Sequence, residues 1–420
     1  MRLSASRAVF PAIFFATFSS SSPIFRRGTT VQMNSSAGQS VGAAYFITNE
    51  QTGNFVVAAD IGADGTLNLR QAIATGGLGL HGNNGGVTDG PDGLFTQGAI
   101  KVSAAARMLA TVNPGSNTLS IFSIDPSDPI NLKQIGDPVG SGGEFPVSVA
   151  FNKAGDTLCS LNGGQVNGVS CFKVDPTKGL TNISGTNRAL NLNQTTPATG
   201  PAGSASHIIF SEDNTQLIAS VKGLPPTPGF LAVWDVASDG SLSPEFVSVA
   251  PAQGGLLPFS MTLIEGKNAI LATDAGVGFD IFDFSTSGDN SSNVSSVVAI
   301  DGQSATCWSS FSNQTGNFYL TDIGTSMVTE VNVDANLKGS IVQQYAQGNN
   351  SGTIDNDIAS IAGKDFMYIL AANATAIDVL SLNAPGQAQN IQKIDIAGPS
   401  KAAGLTVSTS VQGMTTFIKQ

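Results

Sequence analysis

Charge is scarce in this chain. Only 12% of the 420 residues are Asp, Glu, Lys or Arg, and 19 basic residues face 30 acidic ones, a net charge of −11. No basic stripe exists to neutralise phosphates, which argues against nucleic acid and anionic membrane surfaces as partners. Two His and three scattered Cys leave no ligand set for zinc, and the Asp-rich turns lack the spacing of a calcium loop. Neither a phosphate-cradling Gly-rich loop nor a dinucleotide fingerprint occurs. Ser148 and Ser260 lack a nucleophile-elbow context, which argues against a serine hydrolase. No metal and no cofactor are therefore expected. The apolar run near the amino terminus, residues 8–18, is too short to span a bilayer.

Turn formers are plentiful: 48 Gly and 19 Pro accompany a hydrophobic content of 41%. That combination points to many short strands around a sizeable core rather than to helices. Residues 146–174 show the unit most clearly. Val147, Val149 and Phe151 alternate with smaller or polar residues, the period of a half-buried strand. Asn152, Lys153, Ala154, Gly155 and Asp156 form a turn; residues 157–161 and 169–174 read as further strands, and 180–183 as a fourth. The same grammar opens at Ile208, Trp308 and Ala359. A period of roughly 40–50 residues is that of four-stranded propeller blades. The expected fold is all-β, a seven-bladed β-propeller in one domain, residues 41–420, needing no helix. The first unit (strands at 43–49, 54–61 and 67–74) lacks an inner strand. Residues 402–410 supply a surplus one, with 405–408 expected to pair beside 44–48 and close the ring.

Residues 1–40 read as a signal peptide and linker. Arg2 and Arg7 flank the start of the apolar run, and small residues follow it at 19–22. Arg26 and Arg27 are either a dibasic processing site or two solvated arginines. N-glycosylation acceptors occur at Asn34, Asn182, Asn193, Asn290, Asn293, Asn313, Asn349 and Asn373,. Together these features suggest a secreted glycoprotein, extracellular or in a cell wall, without a membrane span and monomeric. In that compartment Cys159 and Cys171, flanking one hairpin loop, are expected to form a disulfide, leaving Cys307 as a buried free thiol.

Residues 45–50 (Tyr-Phe-Ile-Thr-Asn-Glu) and 54–60 (Asn-Phe-Val-Val-Ala-Ala-Asp), with the blade openings, resemble the seven-bladed lactonase family over roughly residues 43–420. That family includes 6-phosphogluconolactonase-type enzymes and fungal 3-carboxy-cis,cis-muconate cyclase. The chain looks closest to secreted fungal proteins labelled 3-carboxymuconate cyclase-like. The resemblance implies lactone ring formation or opening without a cofactor, on a small-molecule lactone or carboxylate. His207 matches the His of the family's Pro-Arg-His-x-x-Phe opening, whereas Ser206 stands at the Arg position; Arg188 is a candidate replacement.

Aligned blade openings put Ser148, His207, Ser260 and Trp308 at equivalent phases, with Glu144, Asp357 and Gln97 near the same channel mouth. A His beside a carboxylate suits proton transfer, so His207 with Glu144 is the candidate catalytic pair. Gln97, Ser148, Arg188, Ser260, Trp308, Asp357 and, in a long Gly-rich loop, His81 are candidate ligand contacts. The alternative is a non-catalytic recognition module whose partner is a cell-surface glycan or protein.

Overall fold

Seven antiparallel sheets radiate from one channel, and each begins with a strand lying along it. The computed structural model describes residues 28–34, 39–285 and 295–419. The proposed signal peptide, Arg26–Arg27, and the acceptors Asn290 and Asn293 lie outside the described residues. Among the described residues, no helix is long and apolar enough to cross a membrane.

The inner strands are Ile100–Ser103 in blade 2, Pro146–Phe151 in blade 3 and Ala205–Phe210 in blade 4. Pro258–Leu263, Thr306–Ser312 and Thr353–Ile361 serve blades 5, 6 and 7. Blade 1 takes its inner strand from the carboxy-terminal end: Gln412–Ile418 pairs antiparallel with Ser40–Ile47, Ala44 lying opposite Thr416. Ring closure by a late strand is as expected, but the segment is not. Residues 402–410 form no strand. A six-residue helix, Ala397–Ala402, precedes them, which corrects the expectation of no helix. Gly404 is left-handed there, at φ 77°, and Ser408 donates through both its N–H and its hydroxyl to the Glu50 carboxylate. Those serines and threonines serve a turn, while Met414 and Phe417 enter the core. Within the stretch read as linker, Thr30–Gln32 adds a fifth strand to blade 1 by pairing with Leu67–Ala74.

The inner strands read as half-buried, yet Pro146–Phe151 is buried on both faces apart from Phe151. Each blade is sandwiched between two others, so Ser148 and Ala150 pack as tightly as Val147 and Val149. Small residues fill the alternate positions because the blades converge there. Solvent reaches the outermost strands instead, as in Gly339–Ala346 and Ala388–Asp395.

Five of the aspartates shape turns. Asp64, Asp125, Asp175, Asp213 and Asp239 each accept hydrogen bonds from both the N–H and the hydroxyl of the Ser or Thr two residues on. These bonds favour the ionised form and hold all five carboxyls below the usual carboxylate range,. In the blade 3 hairpin, Asn152 plays a similar part, its side-chain oxygen accepting from the N–H groups of Asp156 and Thr157. Gly155 there is left-handed and packs on Ser103, where a Cβ would come within 2.2 Å of the hydroxyl.

Candidate functional site

An inner strand is a sheet edge, and its outward N–H groups face the channel without a ladder partner. This chain satisfies them with side chains from adjoining blades. In six of the seven blades the inner strand shifts register near its start. Such a bulge re-aims the side chain that follows it. Ser148, His207, Ser260 and Trp308 sit at or beside that shift, as their equivalent phases imply. In blade 7 the equivalent residue is Asp355 rather than Asp357, and both lie within the strand rather than in a turn.

The resulting contacts staple the ring. Ser148 Oγ accepts from Ile208 N at 3.3 Å, joining blades 3 and 4. His207 Nδ1 accepts from Met261 N at 3.0 Å, joining blades 4 and 5. The Ser260 and Ser309 hydroxyls meet at 2.8 Å between blades 5 and 6. Asp355 Oδ2 accepts from Gly413 N at 2.8 Å, joining blades 7 and 1.

Residues 92–98 fill the mouth inside this ring. The Gln97 amide clamps Ser309 across the channel, donating to its carbonyl and accepting from its N–H, both at 3.0 Å. Ser148 Oγ donates to Gln97 O at 2.7 Å, and the Trp308 indole N–H donates to Thr96 O at 2.8 Å. Gly98 passes so close to the ring residues that a Cβ would stand 2.7 Å from Ser148 Oγ and 3.2 Å from His207 Nε2.

His207 is consequently 1% exposed. Because Nδ1 accepts, a neutral ring carries its proton on Nε2, which has no partner. Burial, and then the charge of Lys101, push the imidazole well below its ordinary value. Glu144 lies apart on the blade 3 shoulder, where its carboxylate accepts from the Thr196 hydroxyl. Among the described residues no hydrogen bond or ion pair joins it to His207. Arg188 does not reach the channel; its guanidinium donates to the carbonyls of Ser243, Leu242 and Asn187. His81 is buried beneath its own loop, with Nδ1 facing Gly82 O at 2.6 Å and Nε2 facing Gly90 O at 3.0 Å. Asn182, Asn193, Asn313, Asn349 and Asn373 are exposed, and Asn34 is half-buried. The disulfide joins Cys159 and Cys171, which face each other across two strands, and Cys307 is free and buried.

The plug is also held by a polar cluster that motif reasoning missed. Lys222 Nζ donates to Phe95 O at 2.7 Å and to Ser206 Oγ, and sits 4.4 Å from the Phe259 ring centroid. It thus brings an amine to Ser206, where the resemblance had put an arginine. Its signal was a single lysine ending the apolar run Leu217–Val221 in a chain poor in charge. Gln412 Nε2 bridges Asp92 and Asp355. Burial pulls Lys222 down to about 7, pushes Asp355 up to about 6 and raises Asp92 well above the carboxylate range.

The other end of the channel differs. A cavity of about 390 Å³ opens where the inner strands of blades 3, 4 and 5 end, with Lys101 and Lys153 in its lining. On the inner strand of blade 7, the Asp357 carboxylate accepts from the Thr416 hydroxyl at 2.9 Å and from Ile358 N at 3.0 Å. Burial raises the Asp357 carboxyl, and the Lys101 charge opposes that rise.

Comparisons with known proteins agree with this architecture. Residues 36–191 match the model of the family described as Lactonase, 7-bladed beta-propeller. No curated protein sequence matches the chain. A provisionally assigned 6-phosphogluconolactonase from Bacteroides fragilis is similar in structure at TM-score 0.60 and 12% identity, with 91% of this chain and 99% of that one covered. The periplasmic gluconolactonase of Pseudomonas aeruginosa is similar at TM-score 0.60 and 16% identity, covering 84% and 96%. A Lactobacillus plantarum protein follows at TM-score 0.59 and 13% identity, covering 90% and 99%. At such identities the likeness is one of fold.

Proposed function

We propose that this propeller opens or forms lactone rings in its central channel, on a small substrate that enters through the cavity at the strand ends. One observation carries the reading: Lys101 lines that cavity, and its charge acts on the hydrogen-bonded carboxyl of Asp357, which burial raises. In ring opening, water adds to the carbonyl carbon, the ring C–O bond breaks and the leaving oxygen takes a proton. Asp357 holds its proton more tightly than an ordinary carboxyl, so it suits delivery of that proton and recovery of one from water. Lys101 supplies positive charge for the oxyanion and for the carboxylate formed. The scheme needs no cofactor. The lactonase-like fold and the match over residues 36–191 support the reaction class; cyclisation of a carboxymuconate is the finer form of the same proposal. Export and glycosylation complete it, supported by the exposed acceptor asparagines.

The filled mouth favours a second reading. With His207, Ser148 and Ser260 buried under residues 92–98, the protein serves instead as a non-catalytic recognition module. Incubating the purified protein with sugar lactones, alkyl lactones and a carboxymuconate, and following ring opening or closure, separates the two. The first reading expects turnover that falls by about two to four orders of magnitude in Asp357→Asn. No turnover on any substrate leaves the second.

A further inference from the structure

The geometry points to a substrate class for the open end of the channel: lactones with an apolar body, whose ring-opened carboxylate rests between Lys101 and Lys153. This rests on the reading that substrate enters through that cavity. Its volume, about 390 Å³, is that of a small-molecule site. Most of its wall is apolar, formed by the strand ends Val149–Phe151 and Ile208–Phe210 with Val102 and Leu263, while the polar Ser211, Glu212 and Asn214 in the lining already make hydrogen bonds to Asp213, Gly266 and Lys153. A polyhydroxylated ligand would leave most of its polar groups unpaired there. An alkyl chain or an aromatic ring loses nothing by the same contact.

The charge at the rim is selective as well. Among the described residues neither Lys101 nor Lys153 has an ion-pair partner. The acidic residue in the lining, Glu212, is turned toward blade 5, where its carboxylate accepts from Gly266 N at 3.0 Å. In a chain of net charge −11, two lysines without an ion pair at a mostly apolar cavity match an amphipathic monoanion, with Lys101 also acting on the carboxyls of Asp355 and Asp357. The rim is also braced, because Lys153 N donates to Asn214 Oδ1 at 2.8 Å and ties the hairpins of blades 3 and 4 together.

The test is binding to the full chain by calorimetry, with octanoate as a mimic of the opened product, octan-1-ol as its neutral counterpart and gluconate as its polar counterpart. Octanoate is expected to bind at least about tenfold more tightly than either. Lys153→Ala, at an exposed position, should weaken octanoate about tenfold and leave octan-1-ol unchanged, and Lys101→Ala should act in the same direction. Leu263→Asn should weaken both apolar ligands. Gluconate binding as tightly as octanoate, octanoate unaffected by loss of both lysines, or no octanoate binding would each overturn the inference. The readout does not depend on turnover. Octanoate binding without lactone opening removes the proposed activity and keeps the ligand class; sugar-lactone turnover without octanoate binding does the reverse.

Discussion

His207 shows how one contact changes the meaning of a residue. As a lone histidine near a strand start it reads as an acid or base whose removal spares the fold. In the structure it accepts the Met261 N–H and packs against Gly98. His207→Ala is therefore expected to lower stability by about 1–3 kcal/mol, because it leaves a buried donor without a partner. Urea unfolding measures this, and an unchanged midpoint would remove the staple from the account. Asp355 carries a pH dependence. Burial raises its carboxyl from 3.8 to about 6 in the folded protein, while the unfolded chain keeps the ordinary value. The stability it contributes is thus fully present below about pH 4 and is lost as pH rises through about 6. Asp355→Asn should flatten that part of the profile, a change on the order of 3 kcal/mol between the two limits. Melting temperatures of both proteins from pH 4 to 7 check it; parallel profiles would mean that Asp355 does not titrate as its burial implies.

Among the elements, the plug at residues 92–98 and the blade 3 hairpin were legible to different degrees. The Cys159–Cys171 pairing was anticipated from the hairpin the two flank together with the expected export, and the antiparallel register places them opposite each other. Replacing both by Ser should cost about 2–3 kcal/mol, as expected for a closed loop this short; peptide mapping without reduction checks the bond itself. The plug carried no comparable signal. Its Gln97 was read as a ligand contact, yet its amide is spent on Ser309, 212 residues away. Gln97→Ala should loosen the segment, seen as faster amide exchange at residues 92–98 with little change in the outer strands. Equal protection in the two proteins would show that the remaining contacts hold the plug unaided.

For the whole molecule, closure is the decisive feature. Gln412–Ile418 covers the edge of Ser40–Ile47 and packs against the inner strand of blade 7. A chain ending at residue 410 should expose that edge, lose a single cooperative unfolding transition and aggregate through the unpaired strand. Size-exclusion chromatography and thermal unfolding are the measurements. A monomeric truncated protein melting as the intact one does would show that six blades and a partial seventh hold without the join.

What the sequence determined alone was local: alternating apolar residues, Gly and Asn at turns, and a repeat near 45 residues are short-range rules, so the blades, their number and the disulfide hairpin were readable. The shortage of strands in the first unit even announced that a late segment must close the ring. Which segment does so was decided by competition between residues 402–410 and 412–418, and Glu50, more than 350 residues away, claimed Ser408 for a turn. The site was less legible for the same reason. Ser148, His207, Ser260 and Trp308 share one position at the bulges, but whether they face water depends on what fills the channel. Only the tertiary structure brings residues 92–98, Lys222 and Gln412 into one cluster. Their bonds join distant parts of the chain, so no local pattern reveals that one mouth is sealed and the other open.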